Sequence, residues 1–555
     1  MRSKQTKAGL SVNAIAGTHV VLLGFDLTEA SRKACLGFAV HRQDHTEQEQ
    51  YWLRGMKTFA ATDPGLAPGG TISSRQHPFQ TFQWADYSAK PDHDYSYTVV
   101  PLRGKPDALT EGVPVKVRVC TEAEGGSRHS VWFNRGAIAS QEYARRFQNR
   151  RPDEIPGTAA YTWLSRGLLE ALLAFIARAR GPRFGLVGAI YEFQWPDALL
   201  AIREARRSGA KVSVLYDAIP AASGPGGKNL AAVERAGIKG ASRGRTAGKL
   251  MHNKFLILLK DDQPIAVWTG STNLTENGLF GHSNLGQVIE DEGAARAYYE
   301  YWQELRGDPP TSDMKEWILA DNPAPPEPWS EELTVVFSPR RGLAVLDWYA
   351  EIAQSAQRGL FMTFAFGMHS KFTQVFEQND AVLRYALMEK EGNGRGLAQG
   401  RKDIARIRRL PNVVVAVGNN LTLNAFDRWL KERSKLSSEV NVRFIHTKYM
   451  LVDPLGPHPV VVTGSANFSQ ASTDTNDENM LVVRNDPRLA DIYLGEFMRL
   501  FSHYSFREAV KIAQENGEDP ETWQPNSLVP TDAWQKDYFR KGSPRDLRRK
   551  YFAGT

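Results

Sequence analysis

Cysteine is nearly absent from this chain: 555 residues contain two, Cys35 and Cys120. Two thiols cannot staple a loop-rich scaffold, so a disulfide framework is excluded and buried, unreactive thiols are expected. Long apolar runs are missing as well. The longest, at Phe184–Phe193 and Val460–Thr463, are strand-sized, and no segment is expected to span a bilayer. Met1–Lys7 is basic, but the apolar stretch after it is short and mixed and lacks a small-residue cleavage site, so no secretion signal is expected and a reduced cytoplasm is the expected location. No cluster of histidines or carboxylates has metal-ligand spacing, so neither a metal nor another cofactor is predicted. With 42% hydrophobic residues, the chain is long enough for about three domains with real cores.

A duplicated pattern is the most informative feature that is present. His252-Asn253-Lys254 is followed by Gly270-Ser271-Thr272-Asn273, and His446-Thr447-Lys448 by Gly464-Ser465-Ala466-Asn467. The two copies lie 194 residues apart (446 minus 252), and the step from His to Gly is 18 in both. Each runs into a buried-looking stretch, Phe255–Leu259 and Tyr449–Val452, so His and Lys at i and i+2 are expected on one strand face, where they can share a ligand. A neutral imidazole can attack phosphorus or carry a proton, while ammonium and amide groups hold oxygens on which charge develops. Two such sets facing each other make a complete site for cleaving a phosphodiester. Lys254, Lys448, Asn273 and Asn467 supply the positive and dipolar groups that a divalent ion would otherwise provide.

This constellation resembles the phospholipase D superfamily, whose signature, His-x-Lys-x4-Asp-x6-Gly-Ser-x-Asn, occurs twice around a pseudo-twofold axis. The resemblance covers roughly residues 165 to 510 and implies one active site between two lobes. The second copy keeps Asp453 at the expected place, with a longer Asp-to-Gly gap. The first has Leu259 there, and Asp261 is out of register. That aspartate is structural in the family rather than chemical, so its loss does not imply inactivation. Fourteen residues after each motif glycine the halves differ again: Asn284 in the first, Glu478 in the second. The resemblance implies that this position holds the imidazole nitrogen turned away from substrate. A carboxylate partner favours an imidazolium and an amide partner a neutral ring. If each residue serves the histidine of its own half, His252 is the nucleophile and His446 the acid. The implied cycle forms a phosphohistidine on His252, with Ser271 and Ser465 completing the site.

The expected architecture is multi-domain: an N-terminal all-β sandwich followed by two pseudo-symmetric α/β lobes with one active site at their interface. Residues 1–120 alternate in short strand-like runs at sandwich spacing, His19–Phe25, Cys35–Val40, Phe79–Trp84, Tyr95–Val100 and Val113–Val119. The stretch from Ala89 to Val99 resembles the tyrosine-containing strand entry of fibronectin type III modules, which implies a domain that positions a protein partner or substrate; a packed spacer is the alternative. Residues 121–165 are expected to form a polar, helical connector, 166–330 the first lobe, 331–515 the second, and 516–555 a basic aromatic tail. Each lobe reads as strand, helix, strand, motif: Phe184–Phe193, Asp197–Ser208 and Val212–Tyr216, then Gly359–Phe366, Lys371–Gln378 and Val382–Met388. A core helix is expected over Leu164–Ala179. The proline-rich run Asp321–Pro328 marks the junction.

Substrate class rests on charge. The net charge of +7 is modest, but basic residues cluster at Arg243, Arg245 and Lys249, at Arg401–Arg409, and at Lys536–Lys550. Together they favour a polyanion. Phe193, Trp195, Phe364, Phe366, Phe372 and Trp429 are candidates to stack bases, to seat acyl chains or to fill the core. A metal-independent nuclease is therefore expected. A phospholipase D or phosphatidyltransferase acting on membrane phospholipid is the alternative, and a catalytically weak nucleic-acid-binding protein the third reading. Oligomeric state is left open.

Overall fold

The computed structural model describes every residue except 67–69, 137–139, 222–223, 326–328, 330, 393–395, 419–444 and 516–526. Two antiparallel sheets occupy the N-terminal region. One orders Arg2–Lys7, Leu10–Ala16, Val21–Leu27 and Gln83–Asp86. The other is organised on the long strand Asp94–Lys105, which pairs with Cys35–Asp44, Ala108–Glu111 and Val115–Cys120. Along Val115–Cys120 buried and exposed residues alternate strictly, as a strand with one face inward requires. Val12, Leu23 and Phe25 of the first sheet share a core with Phe38, Val40, Tyr97 and Val117 of the second. Cys35 is buried there, but Cys120 sits at an outward position and is exposed, against expectation.

Two seven-stranded mixed sheets follow, and they have the same strand order. The first runs His129–Phe133, Leu285–Ile289, Gln263–Gly270, Lys254–Lys260, Phe184–Ile190, Lys211–Asp217, Ser242–Arg245. The second runs Leu333–Ser338, Glu478–Arg484, Val460–Gly464, Tyr449–Val452, Gly359–Phe364, Leu383–Met388, Val413–Val417. In both, the strand after the His-x-Lys motif lies antiparallel to a central strand that is itself parallel to its next neighbour. The run of buried residues on these central strands reflects helices or packed layers on both faces.

Three boundaries differ from the sequence reading. The segment 121–165 is more than a connector, because His129–Phe133 is the edge strand of the first sheet, paired residue by residue with Leu285–Ile289. Five residues set in a polar stretch were too short to register as a strand. The helix expected over 164–179 is broken into Ala159–Ser165 and Leu168–Ala177, because Arg166 and Gly167 adopt left-handed backbone with φ of 49° and 86°. Residues after 526 form no free basic tail: Trp534 enters the N-terminal core, Tyr551 and Phe552 enter the largest core, and Arg549 pairs with Asp26 and Asp546.

That largest core gathers around the helix Pro487–Glu515. Its Leu489, Tyr493, Phe497 and Phe501 pack with Ile15 and Leu22 of the N-terminal sheets, Phe133 and Leu285 of the first lobe, and Phe361 and Tyr449 of the second. Inside it, Glu496 binds Arg166 at 2.7 Å and Arg499 at 2.8 Å. Burial works to raise the Glu496 carboxyl, but the two guanidiniums outweigh it and hold it at about 2.

Asp453 shows why the two motif copies can differ without loss of fold. Its carboxylate accepts hydrogen bonds from the backbone N–H groups of Gln357, Arg358 and Gly359 at 2.8, 2.7 and 2.8 Å, fixing the entry of the central strand. In the first lobe Leu259 is buried among Ile257, Val267 and Tyr298, while Asp261 pairs with the Arg183 side chain instead. Replacing Asp453 with Ala should therefore cost about 1.5–3 kcal/mol of stability, the range for charged hydrogen bonds. Urea denaturation measures this, and a change under about 0.5 kcal/mol would rule out the anchoring role.

Candidate active site

Each motif histidine sits in the short segment just before its strand, not on the strand as expected; the strands begin at Lys254 and Tyr449. Two contacts hold each segment. A carboxylate from the end of the parallel neighbour strand accepts the backbone N–H of the preceding residue: Asp217 from Met251 at 2.9 Å, Glu389 from Ile445 at 3.0 Å. The second contact comes from the opposite lobe. Met251 bridges Asp477, with His252 N–H donating to the Asp477 carbonyl at 2.9 Å, and Ile445 bridges Ser283, with His446 N–H donating to the Ser283 carbonyl at 3.2 Å. The lysine ammonium then folds back on the histidine carbonyl, Lys254 at 2.7 Å and Lys448 at 2.5 Å. Tyr191 lies 4.9 Å from the His252 ring and 5.1 Å from the Lys254 ammonium, so this His and Lys do share one side.

The orienting residues are crossed. Glu478 accepts from His252 Nδ1 at 2.9 Å, and Asn284 from His446 Nδ1 at 2.8 Å. Each serves the histidine of the other half, which corrects the within-half pairing expected from sequence. The motif serines lock the same residues from behind: Ser465 donates to Glu478 at 2.7 Å and Ser271 to Asn284 at 2.8 Å. With Nδ1 engaged, each ring turns Nε2 to the other side. Asn273 and Asn467 are not equivalent. The Asn273 amide nitrogen is spent on the buried carboxylate of Glu192, a residue that sequence reasoning missed. The registers of the two sheets place Phe366 at the corresponding position of the second lobe.

Burial shapes the charge of all these groups. It pushes His252 down to about 4, with Glu478 opposing and Lys254 adding to the fall. His446 is lowered well below its ordinary value, by burial and then by Lys448 and His282. Lys254 falls to about 8, partly rescued by Glu478 and Glu192; Lys448 falls well below its ordinary value, with Lys254 adding to burial. Burial raises the Glu192 carboxyl against the pull of Lys254. For Glu478 burial also works upward, but His252, Lys254 and the Ser465 hydroxyl prevail and keep it ionised. Burial thus works against the charged form of both imidazoles and both ammoniums, and an anion placed among them would work the other way.

Several residues expected to contact substrate do other work. Arg245 is fully buried between Asp477 at 3.1 Å and Asp308 at 2.8 Å. Arg401 pairs with Glu391, Arg406 with Glu377 and Asp403, and Arg408 with Glu508. Phe193, Phe364 and Phe372 are core residues, Trp195 is half-buried against the same cores, and Trp429 lies outside the described residues. Phe366 is half-buried under Lys390. Arg243 and Lys249 are exposed just before the first motif.

A family model described as "Cardiolipin synthase, PLD-like domain" matches residues 172–306 and 399–501, less than half of the chain. The two segments contain both His-x-Lys motifs and both orienting residues, so the chain carries a phospholipase D-like domain, a domain of phosphodiester-acting enzymes. No curated protein matches the sequence. Similar solved structures include phosphatidylserine synthase of Haemophilus influenzae Rd KW20, at 12% identity over 63% of this chain and 89% of that one, TM-score 0.42. Polyphosphate kinase of Porphyromonas gingivalis shares 14% identity over 66% of this chain, TM-score 0.38, and this chain covers about half (49%) of its length. Nuc of Salmonella typhimurium, a phospholipase D family member, shares 21% identity over 31% of this chain and 94% of that one, TM-score 0.23.

The crossed pairs give distinct titrations. The Glu478 charge raises His252, so Glu478→Gln should lower the His252 pKa and leave His446 nearly unmoved. Asn284→Asp should raise His446 instead. Histidine-selective NMR titration of both variants reads this directly, and a Glu478→Gln shift at His446 alone would restore the within-half pairing.

Proposed function

We propose that the protein cleaves phosphodiesters in two steps through a phosphohistidine on His252. The crossed contact of Glu478 with His252 is the observation that carries this reading. An imidazole phosphorylated on Nε2 while keeping its Nδ1 proton is cationic, and Glu478 faces that Nδ1–H. His446, held by a neutral amide oxygen, makes a readily dissociating imidazolium and suits the acid. The nucleophile assignment thus stands on the opposite argument from the one the sequence suggested. When substrate binds, its anionic oxygens offset Lys254 and Lys448 and let His446 hold a proton. His252 Nε2 attacks phosphorus, His446 protonates the departing oxygen, and the phosphoryl oxygens lie against Lys254, Lys448 and Asn467. Deprotonated His446 then takes a proton from water, which displaces His252.

For substrate, a phospholipid headgroup diester is the first reading. The matched family model carries a phospholipid-synthase description, and most of the arginines that argued for a polyanion are tied up in internal ion pairs. Nucleic acid is the second reading, favoured by exposed Arg243 and Lys249 beside the first motif. The N-terminal sheets are proposed to position a partner or the substrate, and the cytoplasm is the proposed location. Among the described residues no helix is long and apolar enough to cross a membrane.

Three outcomes are expected. His252→Ala should lose activity by at least about a thousandfold, while His446→Ala, given a diester with a good leaving group, should accumulate the adduct on His252. Acid-quenched mass spectrometry locates it, and an adduct on His446 in the wild type would reverse the roles. Activity should be unchanged by EDTA, because Lys254, Lys448 and Asn467 carry the phosphoryl charge. Anionic phospholipid vesicles should be hydrolysed with a His252-dependent rate. If plasmid or single-stranded nucleic acid is cut instead, with affinity falling on the order of a hundredfold between about 50 and 200 mM salt, the nuclease reading replaces the lipid one.

A further inference from the structure

Three imidazoles, not two, meet at the seam. The ring of His282 lies 5.7 Å from that of His446 at an interplanar angle of 38°. The residue is half-buried, and its Nε2 atom is shielded and has no hydrogen-bond partner. The placement is firmly built. His282 ends a π-helical turn, Asn277–Gly281, of the kind often found at functional sites; its N–H donates to the Asn277 carbonyl at 2.8 Å, and its carbonyl accepts from Asn134 Nδ2 at 2.7 Å. In the second lobe the equivalent turn is the short α-helix Gln470–Asp474, and Asn476 takes the place of His282. Its amide lies 3.4 Å from Glu478. The third imidazole therefore attends His446 and has no counterpart of its kind beside His252. Leaving a buried nitrogen unpaired is unfavourable, and that cost is recovered if a donor occupies the position during turnover.

The two-step reading given above, on which this inference rests, supplies that donor. In the second step the acceptor approaches phosphorus beside His446. Water has two O–H bonds, and an alcohol has one. We propose that His282 Nε2 accepts a hydrogen bond from the second hydrogen of the attacking water and so selects hydrolysis over transfer to alcohols. In this step one water proton passes to His446 Nε2, the water oxygen bonds phosphorus, and the P–N bond to His252 breaks with its electron pair returning to Nε2. The second water hydrogen stays on the product, a phosphate monoester, held by His282 with its own proton on Nδ1. An alcohol must give its single hydrogen to His446, which leaves His282 unpaired and facing a carbon substituent. His282 is a positioning residue for the acceptor and takes no part in attack on the diester.

The test uses the full chain, bis(p-nitrophenyl) phosphate and water containing a fixed fraction of glycerol. Rapid-quench measurement of the first p-nitrophenol released reads phosphohistidine formation, and chromatography of products reads water against glycerol as acceptor. Wild type should favour water. His282→Ala should shift the ratio toward glycerol on the order of tenfold, as loss of one hydrogen bond implies, with the first release changed less than about twofold. His282→Gln, which keeps an acceptor and guards against a packing defect, should retain most of the preference for water. An unchanged ratio in His282→Ala, or a ratio shifted equally in His282→Gln, overturns the proposal, as does loss of the first release in both variants. No His252-dependent release in the wild type would instead remove the two-step reading beneath it.

Discussion

One contact governs the rest of this molecule: an imidazole Nδ1 held by an acceptor from the opposite half. Glu478 on His252 and Asn284 on His446 make neither histidine complete within its own lobe. The support behind each acceptor comes from its own half, Ser465 behind Glu478 and Ser271 behind Asn284, while the backbone bridges at Met251–Asp477 and Ser283–Ile445 cross alongside the histidine contacts. Ring orientation, tautomer and charge therefore depend on the register between the two sheets. A charged hydrogen bond of this kind contributes about 1.5–3 kcal/mol where it stands, but its larger effect is to aim Nε2.

The two sides of the seam differ in charge although their strands match. Lys254 has Glu478, Glu192 and Asp217 within electrostatic reach, whereas among the described residues Glu478 alone raises Lys448. Glu192 also occupies the Asn273 amide, and the second lobe has Phe366 there, so Asn467 keeps its amide for other use. The first lobe's lysine therefore stands among three carboxylates, with its histidine beside one of them. Two sheets of the same strand order thus hold an asymmetric site, with the difference made by a few residues.

Much of this was legible in the chain. The two His-x-Lys and Gly-Ser-x-Asn sets and the strand-helix-strand order of each half follow from spacing and hydrophobic pattern, and the structural part played by Asp453 is what the family resemblance implies. The crossing of Glu478 and Asn284 was not, because an offset of fourteen residues says which position orients a histidine and nothing about which histidine it reaches. Asp217 and Glu389 escaped for another reason. The distance from each to its motif differs between halves, and only the paired strand ends reveal them as the same residue in duplicate. Arg245, Arg401 and Arg406 misled because a basic run in sequence does not disclose the carboxylates folded against it.

The strand His129–Phe133 and the residue that follows it carry a practical consequence. Asn134 holds the loop that presents His282 and Asn284, accepting from Asn284 N–H at 2.8 Å and donating to the His282 carbonyl at 2.7 Å, and Arg499 of the long helix caps its own carbonyl at 3.0 Å. A fragment trimmed to begin where the phospholipase D-like match begins, at residue 172, would lack both. Its strand Leu285–Ile289, buried at every position, would become an uncovered sheet edge, an invitation to aggregate. The shortest soluble catalytic fragment therefore begins upstream of residue 129, outside the segment that sequence comparison delimits.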